Sequence, residues 1–193
     1  FAQQINCGVR AGGNYTTLSG VDNTTFKLGY NFGAFAEYMV VSNIGVQAEI
    51  NYSAQGANFA YTGSLGGINA TWKGSYNFSY LNIPVLAKMH FGNLGVYVGP
   101  QFGFAVVASK TSEGTSNLGV NIAKKTTKYD KDDYNAFDLS LSLGACYNFY
   151  GNLGVDVRYN LGLTNVFTDN AAGSSAKPYG KNGAIQLGLI YTF

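Results

Sequence analysis

Apolar and polar residues alternate with a period of two along most of this chain. At the C-terminal end Ile185, Leu187, Leu189, Tyr191 and Phe193 are apolar, with Ala184, Gln186, Gly188, Ile190 and Thr192 between them. That period belongs to a strand with one apolar face. Residues 153–163 repeat it: Leu153, Val155, Val157, Tyr159, Leu161 and Leu163 oppose Gly154, Asp156, Arg158, Asn160 and Gly162. Residues 137–149 and 44–54 are equally regular, and 28–40, 81–91 and 94–108 nearly so. In 28–40 the polar face also carries Phe35 and Met39, and in 81–91 it carries Leu86. A first strand over about 5–15 is the weakest, with Arg10 between Gly8 and Gly12. Tyr76, Phe78 and Tyr80 fall on the parity opposite to Leu81, Ile83 and Val85. Either a bulge near Tyr80 resets the faces, or this stretch lies outside the apolar zone. No segment sustains a 3.6-residue period, so no helix is expected.

Eight strands follow, and their connections alternate in length. Tight turns are expected near 42–43, 92–93 and 150–152, where Ser42-Asn43, Gly92-Asn93 and Tyr150-Gly151-Asn152 supply turn residues. Long loops are expected over about 16–26, 57–74, 111–135 and 168–182. This order predicts consecutive antiparallel hairpins in one domain, with both chain ends on the short-turn side. Closure into a barrel leaves no free sheet edge. A lipocalin-like barrel would turn the apolar face inward around a ligand. A membrane barrel does the reverse.

Charge decides between the two. Of 193 residues 11% are charged, 12 Lys or Arg against 10 Asp or Glu, where a soluble surface needs about 25–35%. The strand charges are Arg10, Glu37, Glu49, Lys88, Asp138, Asp156 and Arg158, and all seven fall on the polar parity. Most strand glycines share it, as the inside of a narrow barrel requires. Those seven residues are the expected lumen network, paired because an isolated buried charge costs several kcal/mol. Aromatics gather at both ends of the apolar face. Tyr15, Tyr30, Phe32, Tyr52, Phe137 and Tyr159 lie toward the long loops, and Tyr38, Phe91, Tyr147, Phe149, Tyr191 and Phe193 toward the short turns. Such girdles mark two bilayer interfaces. The reading is an all-β, eight-stranded, antiparallel up-and-down transmembrane barrel with a polar, Gly-rich lumen and an apolar exterior.

Little in the chain suggests catalysis. His90 is the single histidine and lies near a tight turn, so no His metal cluster can form and a Ser-His-Asp site would have to use it. Cys7 and Cys146 are the two cysteines, on opposite parities of strands that should not be neighbours, and free thiols are expected. No catalytic residue, metal site or cofactor is assigned. The net charge of +2 gives no footprint for nucleic acid. The expected working surface is the 111–135 loop, with the mixed-charge cluster Lys124, Lys125, Lys128, Asp130, Lys131, Asp132 and Asp133. It suits docking to a partner or to lipopolysaccharide phosphates; such runs are also common as solvated loops.

Several stretches resemble a known family. Tyr80-Leu81-Asn82-Ile83-Pro84-Val85-Leu86-Ala87-Lys88 is similar to the YLxIPxLxK strand of the PorT-like outer-membrane barrels of Bacteroidetes. Gly8–Gly12, Glu49–Gly56, Gly99-Pro100, Arg158–Leu163 and Leu187–Phe193 resemble it in the same order. Asn82 departs from the pattern, where a carboxylate or Gln is common, and bears on the lumen partner of Lys88. The resemblance implies a Gram-negative outer membrane, an OmpX/OmpA-like barrel, periplasmic termini and extracellular long loops. Phe1-Ala2-Gln3-Gln4 looks like the last residues of a cleaved signal peptide, and Phe193, preceded by apolar residues at every second position, resembles the C-terminal signal of bacterial outer-membrane barrels that the barrel-assembly machinery reads. The family resemblance implies little about activity. The expected function is a structural or interaction component with a filled lumen, in contact with outer-membrane lipid or a protein complex of that membrane. The alternatives are a small transport channel and, further off, a lipid-modifying enzyme or an apolar-ligand binder.

Overall fold

In the computed structural model, the described residues are 5–20, 23–65, 67–116, 118, 121–128, 134–167 and 180–193. They form ten strands and no helix: β1 (Ile5–Ser19), β2 (Thr24–Thr25), β3 (Lys27–Val41), β4 (Ile44–Leu65), β5 (Ile68–Phe91), β6 (Leu94–Ser116), β7 (Asn121–Lys128), β8 (Phe137–Tyr150), β9 (Leu153–Gly162) and β10 (Lys181–Thr192). Eight of them close a ring in the order β4-β3-β1-β10-β9-β8-β6-β5 and back to β4, every pair antiparallel. The two-residue β2 pairs with β4 alone, and β7 pairs with β6.

The short-turn end is tied as a rim. Gly92 and Gly151 take positive φ in their turns, which a Cβ would oppose. The carbonyl of each turn asparagine then accepts from a strand of the following hairpin. His90 N donates to Asn43 O at 2.8 Å, Asn148 N to Asn93 O at 3.0 Å and Thr192 N to Asn152 O at 2.9 Å. Phe193 N closes onto Cys7 O at 2.8 Å.

The opposite end is uneven, and here the expected loops need correction. Residues 57–74 are not a loop: β4 runs to Leu65 and β5 begins at Ile68. Residues 111–135 likewise hold the end of β6 and all of β7. Residues 16–19 belong to β1, 24–25 to β2 and 181–182 to β10, while 168–179 lie outside the described residues. With 24 residues at about 3.3 Å each, β5 is roughly 80 Å long, far beyond the ~9–11 residues that a bilayer span takes. A wall of β4, β5, β6 and β7 therefore projects past the other five strands of the ring, which have 10 to 15 residues.

The bulge expected near Tyr80 is present, but in the partner strand. Ser79 pairs with Val107 and Tyr80 with Ala105, which leaves Val106 of β6 unpaired. In β5 the inward parity runs unbroken through Phe78, Tyr80, Asn82, Pro84, Leu86 and Lys88, all buried. In β6 it changes from odd (Tyr97, Gln101, Gly103) to even (Ala108, Gly114) across the bulge. The aromatics at 76–80 therefore do not change face; they lie above the zone where apolar side chains point outward.

Candidate functional site

The inside of the barrel has two storeys. The lower one is ionic. Arg158 of β9 reaches Glu49 of β4 with Nη1 on Oε2 at 2.8 Å and Nη2 on Oε1 at 2.7 Å. Arg10 of β1 pairs with Asp156 at 2.5 Å and with Glu49 at 3.4 Å. Gln47 and Asn51 each donate to Glu49 at 2.5 Å. The Tyr97 hydroxyl donates to Asp156, accepts from Arg158 Nε at 3.1 Å, and its ring lies 4.9 Å under the Arg158 guanidinium. Toward the short turns Lys88 Nζ meets Glu37 at 3.1 Å and Gln47 at 2.9 Å, and the other oxygen of Glu37 lies 2.5 Å from His90 Nε2. The inward glycines make room for this packing. A Cβ on Gly144 would lie 2.5 Å from the Tyr97 ring and hydroxyl. The void left among these side chains is about 10 Å³, at the lower edge of the ~10–15 Å³ that a single water needs.

The upper storey is aromatic. Leu18, Ala57, Phe78, Tyr80, Ala108, Val166 and Phe167 form one buried cluster, with Tyr76, Ala105 and Tyr134 packed on it. The chain after β9 folds inward to supply Val166 and Phe167, held by a Tyr134–Phe167 bridge and by Asn135 N donating to Val166 O at 2.8 Å. Phe167 packs edge-on against Phe78 at 5.8 Å and Tyr76 at 5.6 Å. Asn182 Nδ2 donates to the Tyr80 hydroxyl at 3.1 Å.

Above the Val106 bulge the two faces of the projecting wall exchange character. Its inward face continues the aromatic storey: Tyr61 stacks on Trp72 at 5.6 Å, and Lys110 Nζ lies 4.9 Å from the Phe59 ring and 5.5 Å from that of Tyr76. Its outward face is built from Thr, Ser, Asn and Lys. Thr62 bonds Thr71 at 3.0 Å, Asn77 donates to Thr111 at 3.4 Å, and Thr111 bonds Thr126 at 3.2 Å. Lys27 Nζ donates to Asn77 at 2.5 Å. Two adjoining hollows of about 490 and 360 Å³ open on this outward face, and Lys73 and Glu113 line both.

Six of the seven expected lumen charges meet as ion pairs: Arg10, Glu37, Glu49, Lys88, Asp156 and Arg158. Asp138 is buried but stands apart, accepting from Ser140 at 2.7 Å and Thr164 at 3.1 Å. It lies one residue inside the start of β8, above the ionic storey, where hydroxyls rather than guanidinium groups line the wall. Of the expected surface cluster, Lys124, Lys125 and Lys128 sit on β7. Asp130, Lys131, Asp132 and Asp133 lie outside the described residues. Cys7 is exposed and Cys146 buried, both as free thiols. Alternation alone missed Tyr97, which joins Leu86, Cys146 and Ile190 in a small inward core. The available signal was an aromatic residue on an otherwise Gly-rich parity.

Known structures share the architecture. A major outer membrane protein from Thermus thermophilus superposes with a TM-score of 0.53 at 16% identity, covering 98% of this chain and 100% of that one. Neisserial surface protein A gives 0.51 at 11% identity over 100% of both chains. Ail of Yersinia pestis gives 0.48 at 14% identity, covering 98% of this chain and 99% of that one. No curated protein sequence matches the chain. Residues 1–168 match the profile of the family described as "Outer membrane protein beta-barrel domain". With its outward aliphatic belt, its ion-paired interior and that match over most of its length, the chain belongs to this family of outer-membrane β-barrels.

Proposed function

We propose that this barrel is a sealed structural and interaction component of the outer membrane, neither a conducting channel nor an enzyme. The carrying observation is the void of about 10 Å³ across the ionic storey, with an aromatic stopper above it. Ion flow needs a continuous water path, and two independent layers interrupt it. The proposed orientation puts the short turns and both termini in the periplasm and the β4–β7 wall outside. Tight uncharged turns at one end and a large polar extension at the other support it.

Contacts are then expected through the wall. Lys124, Lys125 and Lys128 lie on β7, whose one strand partner among the described residues is β6. Lysines on such a strand discourage unwanted pairing, and they also offer a cationic surface to a membrane partner. The Tyr80–Lys88 strand supports a PorT-like placement within the family.

Reconstitution into planar bilayers tests the seal. No conductance above that of the lipid is expected, and a steady open level would overturn the reading. Cross-linking through β7 in native membranes tests the interaction role. A discrete adduct is expected; a monomer alone under gentle extraction would count against it.

A further inference from the structure

The two hollows on the outward face of the wall share an open pair of opposite charges. Lys73 of β5 and Glu113 of β6 stand directly opposite each other in the β5–β6 register. Opposite charges so placed attract each other weakly across the strands. Here no ion pair within 4.0 Å joins them, and both side chains border the same recesses of about 490 and 360 Å³. Those volumes are of the size that holds a ligand. Asn69, Thr71 and Thr115 add amide and hydroxyl groups above, and Ser75, Thr111 and Lys124 line the lower recess together with Phe59 and Ala60. A wall that offers separated cations, one carboxylate and many neutral donors and acceptors suits a ligand that carries both phosphate and hydroxyl groups.

Position narrows the choice. The outward face of β5 is apolar at Leu81, Val85 and Met89, becomes polar at Ser79, and reaches Lys73 eight residues beyond Leu81, about 26 Å along the strand. In the orientation proposed above, the hollows face sideways over the outer leaflet, at the height of the sugars that its glycolipids carry. Charge agrees. Among the described residues of the wall, Lys73, Lys110, Lys124, Lys125 and Lys128 stand against Glu113 alone. We infer that the Lys73–Glu113 groove seats the phosphorylated saccharide of an outer-leaflet glycolipid. Lys73 and Lys124 contact phosphate, and Glu113 accepts from sugar hydroxyls. The inference rests on the orientation and gives the interaction surface one specific occupant.

The folded barrel in detergent micelles, titrated with purified lipopolysaccharide bearing a phosphorylated inner core, tests this by native mass spectrometry. Emission of Trp72, the single tryptophan, gives a second readout. A saturable one-to-one complex is expected. Lys73→Gln combined with Lys124→Gln should weaken it at least tenfold, and so should enzymatic dephosphorylation of the ligand. Glu113→Gln should weaken both the native and the dephosphorylated ligand several-fold. Retained heat-modifiable gel mobility reports that each variant is folded. Unchanged affinity in the lysine variant, or equally tight binding of phosphatidylglycerol, would overturn the groove assignment. Either result leaves the β7 cross-linking in native membranes to be read independently.

Discussion

Arg158 and Glu49 clasp each other across the full width of the barrel. Their strands, β9 and β4, are four places apart in either direction around the eight-membered ring, so this bidentate pair spans a diameter. Both side chains are almost wholly buried, at 1% and 0% exposure. Removing one partner of a buried pair strands the other charge and costs about 3–5 kcal/mol, whereas replacing both by apolar groups of similar volume is often neutral. Glu49→Ala or Arg158→Ala alone is therefore expected to lower unfolding stability by about that amount. Glu49→Leu with Arg158→Met should cost less than either. Urea unfolding in lipid vesicles measures all three, and a double variant worse than both singles would show that the contacts these two side chains make with Arg10, Gln47, Asn51 and Tyr97 outweigh the diametral pair.

The two storeys make separate predictions about leakage. Phe167→Ala with Val166→Ala removes the stopper that the chain after β9 inserts. The ionic storey beneath keeps its partners, so these variants should remain closed in planar bilayers. Arg10→Ser with Arg158→Ser opens the lower layer and leaves the aromatic cluster in place; this variant should also stay closed. Conductance is expected when all four are combined. A current through either layer's variant alone would mean that the two seals are not independent.

Much of this architecture could be read from alternation. The outward belt and the inward charges fall on the parities that periodicity assigns, because a sheet with lipid on one side and a packed lumen on the other imposes a strict two-residue rule. The rule stops at Val106. Beyond it the outward face meets no hydrocarbon, so the wall inverts and builds an aromatic interior of its own. Phe59, Tyr61, Trp72 and Tyr76 then resembled loop residues, since their parity opposed the belt below. Asp138 misled for another reason: parity gives the face of a residue but not its height, and its neighbours Ser140 and Thr164 are hydroxyls. The Lys73–Glu113 groove was hidden in the same way, inside a stretch whose Thr, Ser and Asn content suggested a loop.

Glycine content inside the lower storey should be functional in the packing sense. A methyl group on Gly144 would meet the Tyr97 ring and hydroxyl at 2.5 Å and the Val157 carbonyl at 2.6 Å. The ring must then move, and with it the hydrogen bonds that Tyr97 shares with Asp156 and Arg158. Gly144→Ala is expected to destabilise the barrel by roughly 1–3 kcal/mol through overpacking. Gly63→Ala, in the projecting wall where nothing lies within 4 Å, should cost far less. Equal unfolding midpoints for the two variants would contradict a tightly filled lumen.

The Val106 bulge carries the change of face, so deleting that one residue should be far more damaging than replacing its side chain. Without it, the upper part of β6 must either slip by one position against β5 or invert. Inversion would turn Lys110 outward, away from the rings of Phe59 and Tyr76, and Thr111 and Glu113 inward among aromatics. Burying Glu113 there without a partner is costly. Slippage would instead separate Lys73 from Glu113 and break the Asn77–Thr111–Thr126 row. Both routes loosen the wall while the ionic storey below Ala105 keeps its register. Deletion of Val106 is expected to leave a folded, heat-modifiable barrel whose projecting wall is cleaved readily by trypsin at its lysines. Trp72 emission should shift to the red as its stacking on Tyr61 is lost. Val106→Ala keeps the extra residue and should retain the protease resistance and emission of the parent chain. A deletion variant indistinguishable from Val106→Ala would show that the inversion of the wall does not depend on the bulge.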